Sequence, residues 1–179
     1  MLGYLYHDLE GIQSAFSRQR IGLLFSAVVL SLLAAPEMIG VTALFCSART
    51  LGDAILRAHD AARRLRDAGI TVISGFHSPI EQECLRILLR GAQPIIICPA
   101  RALDAMRIPT ECRAAFAAGR VLFLSPFSQK PKRITQDSAL RRNEVVAALA
   151  DEAYLAHIAS GGKTDQILKQ LREWQVPIL

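Results

Sequence analysis

The chain has 179 residues, of which 51% are hydrophobic and 21% charged, with a net charge of +5. This length suits one domain with a sizeable buried core, and the modest cationic excess admits polyanionic partners without requiring one. Cys46, Cys84, Cys98 and Cys112 show no C-x-x-C spacing, which speaks against a zinc site or a disulfide framework and fits a reducing cytoplasm. An aromatic content of 6% argues against a nucleic-acid binder built on base-stacking platforms.

In chain order, residues 1–40 stand apart. Residues 21–35 carry no charge, follow Arg18 and Arg20, and run into Pro36. The stretch is shorter than the roughly 18 residues of a membrane span. It has the small-residue ending of a secretory apolar region, but the long preceding stretch carries Asp8 and Glu10. An apolar helical segment with a buried helix is the expectation for residues 1–40, and membrane association is disfavoured.

From Val41 onward, short β-rich runs alternate with longer helical ones, the pattern of βαβ units. Strands are expected at residues 41–47, 70–74, 94–98, 120–125 and 153–158, with another beginning at Val176. These runs are apolar almost throughout, as in strands covered on both faces of a parallel sheet. Helices are expected at 53–68, closed by Gly69, at 79–90, opened by Pro79 with Glu81 and Glu83 near its positive end, and at 109–118, closed by Gly119. Residues 41–179 therefore read as one α/β domain, a doubly wound, mostly parallel sheet of Rossmann-like type. Residues 126–135 form its long loop, which leads into Arg141-Arg142-Asn143-Glu144 at the opening of an apolar helix.

In such sheets ligands bind beyond the carboxyl ends of the strands. The residues there include Ser47 and Arg49, residues 75–78, 99–101 and 125–127, and Ser160-Gly161-Gly162-Lys163-Thr164. Glycines and hydroxyls let a phosphate approach backbone N–H groups, and Arg49, Arg101 or Lys163 would supply counter-charge. The Gly-Lys-Thr ending resembles a P-loop, but His157 stands where that motif needs glycine, so a P-loop NTPase is rejected. The alternative is a strand-to-helix turn that merely needs flexible glycines.

His77 and Glu81 are close enough in sequence to pair as acid and base, although a surface turn histidine is the plainer reading. His59 and His7 read as surface residues, while His157 would face either core or site. Adjacent helical residues point about 100° apart, so one of Arg141 and Arg142 reaches a ligand while the other meets solvent. Lys130, Lys132, Arg133, Arg141 and Arg142, with Asp137 the one acid among them, outline a secondary basic path along which phosphates could track.

This succession resembles the DNA-processing protein A family (DprA, also called Smf): a Ser-Ala-Arg after the first strand, Val72-Ile73-Ser74-Gly75 before a helix, Ser125-Pro126-Phe127, Arg141-Arg142-Asn143 with residues 145–151, and a late Gly161-Gly162-Lys163-Thr164 turn. The resemblance spans roughly residues 41–179. It implies a Rossmann-like fold of the lysine-decarboxylase-like superfamily, single-stranded DNA binding in DNA processing, recombination or natural transformation, loading of the RecA recombinase, and homo-oligomers. By position, Arg49, Gly75, Arg142, Asn143, Gly162 and Thr164 are the implied binding residues, with Lys163 beside them as charge. Where the family shows Arg-Gly-Ile-Asp, this chain has Ser78-Pro79-Ile80-Glu81 and so lacks one cation and one glycine. The family's flanking helical and winged-helix-like modules have no recognisable counterpart, which points to a shortened or divergent member.

Two alternatives lie in the same superfamily. One is a nucleotide-binding sensor without a DNA role. The other, a nucleotide phosphoribohydrolase, uses Pro-Gly-Gly-x-Gly-Thr followed by a catalytic glutamate. The segment Ser160-Gly161-Gly162-Lys163-Thr164-Asp165-Gln166 lacks that proline, one glycine and the acid. A binding protein rather than an enzyme is expected, with no cofactor, metal or covalent nucleophile.

Overall fold

A computed structural model describes residues 4–6, 40–47, 52–103, 106–127, 134–158 and 162–179. Six strands within them build one sheet: β1 Tyr4–Tyr6, β2 Val41–Phe45, β3 Thr71–Ser74, β4 Ile95–Ile97, β5 Val121–Ser125 and β6 Glu152–Leu155. Their order is β1-β5-β4-β3-β2-β6, and every pairing is parallel. The helices are α1 Asp53–Asp67, α2 Pro79–Leu89, a 3-10 turn Thr110–Cys112 continuing as α3 Arg113–Ala117, α4 Gln136–Leu149 and α5 Lys163–Glu173. This is the α/β architecture expected from the alternation of apolar runs.

The two faces of the sheet can be read along single strands. In β2, Leu44 belongs to a core shared with Ala58, Ala62 and Leu65 of α1 and Cys84, Leu85 and Leu88 of α2. Its neighbours Ala43 and Phe45 belong to a second core with Val146 and Ala147 of α4 and Ile167 and Leu171 of α5. The switch from Val72 to Ile73 in β3 repeats this. Successive side chains point to opposite faces, so a run with apolar residues at both parities is what a sheet covered on both sides requires. Leu44 and Ile73 are fully buried, each contributing about 1.5–3 kcal/mol relative to exposure.

The chain steps from β2 through β3 and β4 to β5 in one direction. Helix α4 then returns across the sheet, packing on β2 and β3, and delivers β6 to the other side of β2. Asp151 fastens that return, since its side chain accepts from the Val41 amide at 2.8 Å while its own amide donates to the Val41 carbonyl. The strand order thus reverses at β2, and the carboxyl edge near β2, β3 and β6 is where such a sheet takes a ligand.

Three expectations are revised. Tyr4–Tyr6 is a strand paired with β5, whereas residues 1–40 read as an apolar helical segment; a three-residue strand is too short to show a period. The rest of that segment up to residue 39, residues 21–35 included, lies outside the described residues. Arg141 and Arg142 do not open their helix either. It begins at Gln136, capped by Thr135, whose hydroxyl accepts from the Ser138 amide while Ser138 Oγ accepts from the Thr135 amide. At Val176 the expected strand is reduced to one parallel bridge between Ile178 and Ala153.

Candidate functional site

Helix α4 carries Ser138, Arg142, Val145 and Val146 toward the sheet, and Arg142 is 5% exposed. Its guanidinium extends over the ends of β3 and β4, where Nη1 donates to the Cys98 carbonyl at 3.1 Å. It lies directly on Gly75, so close that a Cβ at that position would be 1.2 Å from Nη1. Gly75 is therefore required by the arginine above it, not by a turn. Arg141, one position earlier, is exposed, and Asn143 is half-buried on the other side. One arginine of the pair turns in and the other out.

The buried guanidinium is poorly satisfied. Its Nε is buried and has no hydrogen-bond partner. Ion pairs among the described residues join near neighbours on helices, as in Arg57 with Asp53 and Lys169 with Asp165, and none engages Arg142. The Cys98 thiol is the acid that senses Arg142, but burial pushes it up to about 12 against the lowering effect of the guanidinium. It stays neutral at physiological pH and offers no counter-charge. Arginine keeps its charge inside proteins, and a buried cation without a carboxylate costs several kcal/mol.

The rest of the edge is tightly bonded. Ser74 Oγ donates to the Leu44 carbonyl at 2.7 Å, holding the ends of β3 and β2 together, and accepts from the Phe76 amide. Phe76 has φ of +46°, a left-handed conformation that is strained for an aromatic residue. Ser125 Oγ makes the corresponding turn at the end of β5, donating to the Arg101 carbonyl and accepting from the Phe127 amide.

The expected pairing of His77 with Glu81 exists only through the backbone. The His77 amide donates to Glu81 Oε2 at 2.9 Å, while the residue itself is exposed. Glu81 is 7% exposed and also accepts from the amides of Ser78 and Cys46. Its oxygens are thus occupied by N–H donors. The sequence reading took Glu81 as a charge near the positive end of α2 and as a candidate acid, although Ser78-x-x-Glu81 is a legible capping box. His59, expected at the surface, is half-buried with an unbonded, buried Nε2.

At the last strand, Gly162 caps α5 with its carbonyl facing the amides of Asp165 and Gln166, and Thr164 is half-buried in the first turn. Lys163 begins that helix. Arg49, Lys130, Lys132 and Arg133 lie outside the described residues, as do Ser160 and Gly161. Gly75 and Arg142 are therefore the candidate residues that meet in direct contact, with Asn143 adjacent. Among the described residues no group of His, Cys, Asp and Glu has the arrangement of a metal site, and no helix is long and apolar enough to cross a membrane.

No protein-family model and no curated protein matches the sequence. Solved structures do match the fold. DNA-processing protein A from Helicobacter pylori, described for its mode of binding single-stranded DNA, superposes with a TM-score of 0.64 at 18% identity over 79% of this chain. The Streptococcus pneumoniae protein of the same name gives 0.62 at 14% identity over 78%. The chain spans 65% and 49% of those two proteins, less than two thirds of each. The molybdenum cofactor binding protein of Rippkaea orientalis gives 0.56 at 9% identity over 79% of this chain and 76% of that one. The molybdenum cofactor carrier protein of Chlamydomonas reinhardtii gives 0.52 at 10% identity, covering 78% and 73%. The chain thus has the Rossmann-like α/β fold of DNA-processing protein A, reached with fewer than one residue in five in common.

Proposed function

We propose that this protein binds single-stranded DNA through its phosphates at the carboxyl edge of the sheet and acts in DNA processing, in recombination or natural transformation. The observation that carries the reading is the Arg142 guanidinium, buried over Gly75 with, among the described residues, one carbonyl partner and no carboxylate. A phosphodiester oxygen would neutralise it by a charge-assisted hydrogen bond, and Gly75 makes room for the guanidinium itself. Asn143, Gly162, Lys163 and Thr164 would extend the contact toward β6, and Arg49 would add charge at the end of β2. Arg141, with Lys130, Lys132 and Arg133, would form the outer path.

Phosphate contacts position a strand without reading its sequence, so binding would be sequence-tolerant. The fold shared with a protein that binds single-stranded DNA supports this reading. We assign the protein to the cytoplasm, as a homo-oligomer that acts beside a recombinase of the RecA type. Catalysis is not part of the reading, because Glu81, the nearest candidate acid, is engaged by three amides.

A second reading rests on the molybdenum cofactor proteins, which place the same fold in proteins named for a small ligand. In that case the anion at Arg142 would belong to a free nucleotide or similar compound, and the domain would serve as a sensor. Fluorescence anisotropy of a labelled oligothymidylate at several salt concentrations separates the two. Single-strand binding should show a slope of log K against log salt of roughly −0.7 per phosphate contact. No binding at low salt, together with thermal stabilisation by nucleotides, would replace the first reading with the second.

A further inference from the structure

We infer that Glu81 is a positioning residue of this anion site, a buried strut that sets the chain leaving β2 against the Gly75 turn. The inference rests on the proposed phosphate-binding role of Arg142 and Gly75. An ordinary capping box uses one reach-back bond from the third helical residue to the cap amide. Glu81 makes that bond, from Ser78 N to Oε2 at 3.0 Å, and two more. His77 N donates to the same oxygen at 2.9 Å, and Cys46 N donates to Oε1 at 3.1 Å. The last bond joins positions 35 residues apart and contributes nothing to capping α2.

One of the two segments held this way carries Gly75, on which the Arg142 guanidinium lies, and the other leaves the adjacent strand β2. Cys46 is the first residue beyond β2, and residues 75–78 connect β3 to α2. Phe76, between Gly75 and the two amides held by Glu81, keeps its strained φ of +46°. Strained backbone persists where its surroundings over-determine it, and the His77–Glu81 bond is one such constraint. A carboxylate near an anion site would by itself repel the ligand. Its value here lies in geometry, since the three amides it accepts from surround its charge.

Glu81→Gln separates these effects. The amide oxygen can take the place of Oε2 and keep the helix cap, which leaves an NH2 group facing the Cys46 amide, donor against donor. The variant should keep its fold with a lowered melting temperature, because the buried Cys46 amide is left without an acceptor, while that amide loses protection in hydrogen exchange and the Ser78 amide keeps it. Affinity for oligothymidylate should fall about tenfold, the scale on which supporting residues act at ligand sites, even though a negative charge has been removed. Tighter binding would show that repulsion outweighs positioning and would overturn the inference. So would unchanged affinity with faster Cys46 exchange, or unchanged Cys46 exchange. Failure of the unmutated chain to bind would instead overturn the reading beneath it.

Discussion

Glu81 and Arg142 are both buried charges at the same edge of the sheet, and the fold treats them oppositely. The carboxylate, 7% exposed, accepts from three amides on two segments. Among the described residues the guanidinium, 5% exposed, has one carbonyl and a buried Nε with no partner. Buried polar groups are normally paired, so under the proposed function the contrast is between a charge the fold completes and one kept for a ligand. Stability alone would favour a methionine or leucine at position 142, because apolar replacements of buried ionic groups are often neutral or stabilising by about 1–4 kcal/mol.

The largest effect should come from breaking the incomplete side of the comparison. Arg142→Met removes the charge-assisted contact, worth about 1.5–3 kcal/mol, and should weaken oligothymidylate binding about ten- to hundredfold in anisotropy titrations. Next is Gly75→Ala. The three atoms nearest its Cβ would all belong to the movable end of Arg142, so the arginine should swing away, with clear loss of affinity but a melting temperature near that of the unmodified chain. If Gly75→Ala binds as well as the parent, the guanidinium does not act from the place where it is seen.

Ser74→Ala tests the completed side of the edge. It leaves the Leu44 carbonyl without its hydroxyl donor and should lower stability in urea by about 1–3 kcal/mol, with a smaller effect on affinity. The smallest effect should come from His77→Ala. The exposed ring makes none of the bonds to Glu81, since the backbone amide donates, so both binding and melting should stay unchanged. A loss of affinity there would return the histidine to the site.

The fold was legible because its signals are periodic. Apolar residues at both parities in 41–45 and 71–74 required a sheet covered on both sides, and the helices between them carried their own caps at Pro79 and Gly69. The site was legible only as residue types. Helical spacing sets Arg142, three and four residues before Val145 and Val146, on the apolar face rather than Arg141, but what it meets there appears only when α4 crosses the sheet and sets position 142 over Gly75. The start of α4 was misplaced because Ser138 completes the capping box at Thr135, where a glutamate would have announced it. The bond from Cys46 to Glu81 joins distant segments and has no sequence signature.

The most direct measurement is the thermal unfolding of the unmodified chain and of Arg142→Met, each with and without a saturating oligothymidylate. Ligand at about a hundred times Kd should stabilise the unmodified chain by about 2.7 kcal/mol. The variant should be at least as stable when free and should gain little from the oligonucleotide. A variant that is markedly less stable when free, or that gains as much as the parent, would mean that Arg142 serves the fold and not a ligand.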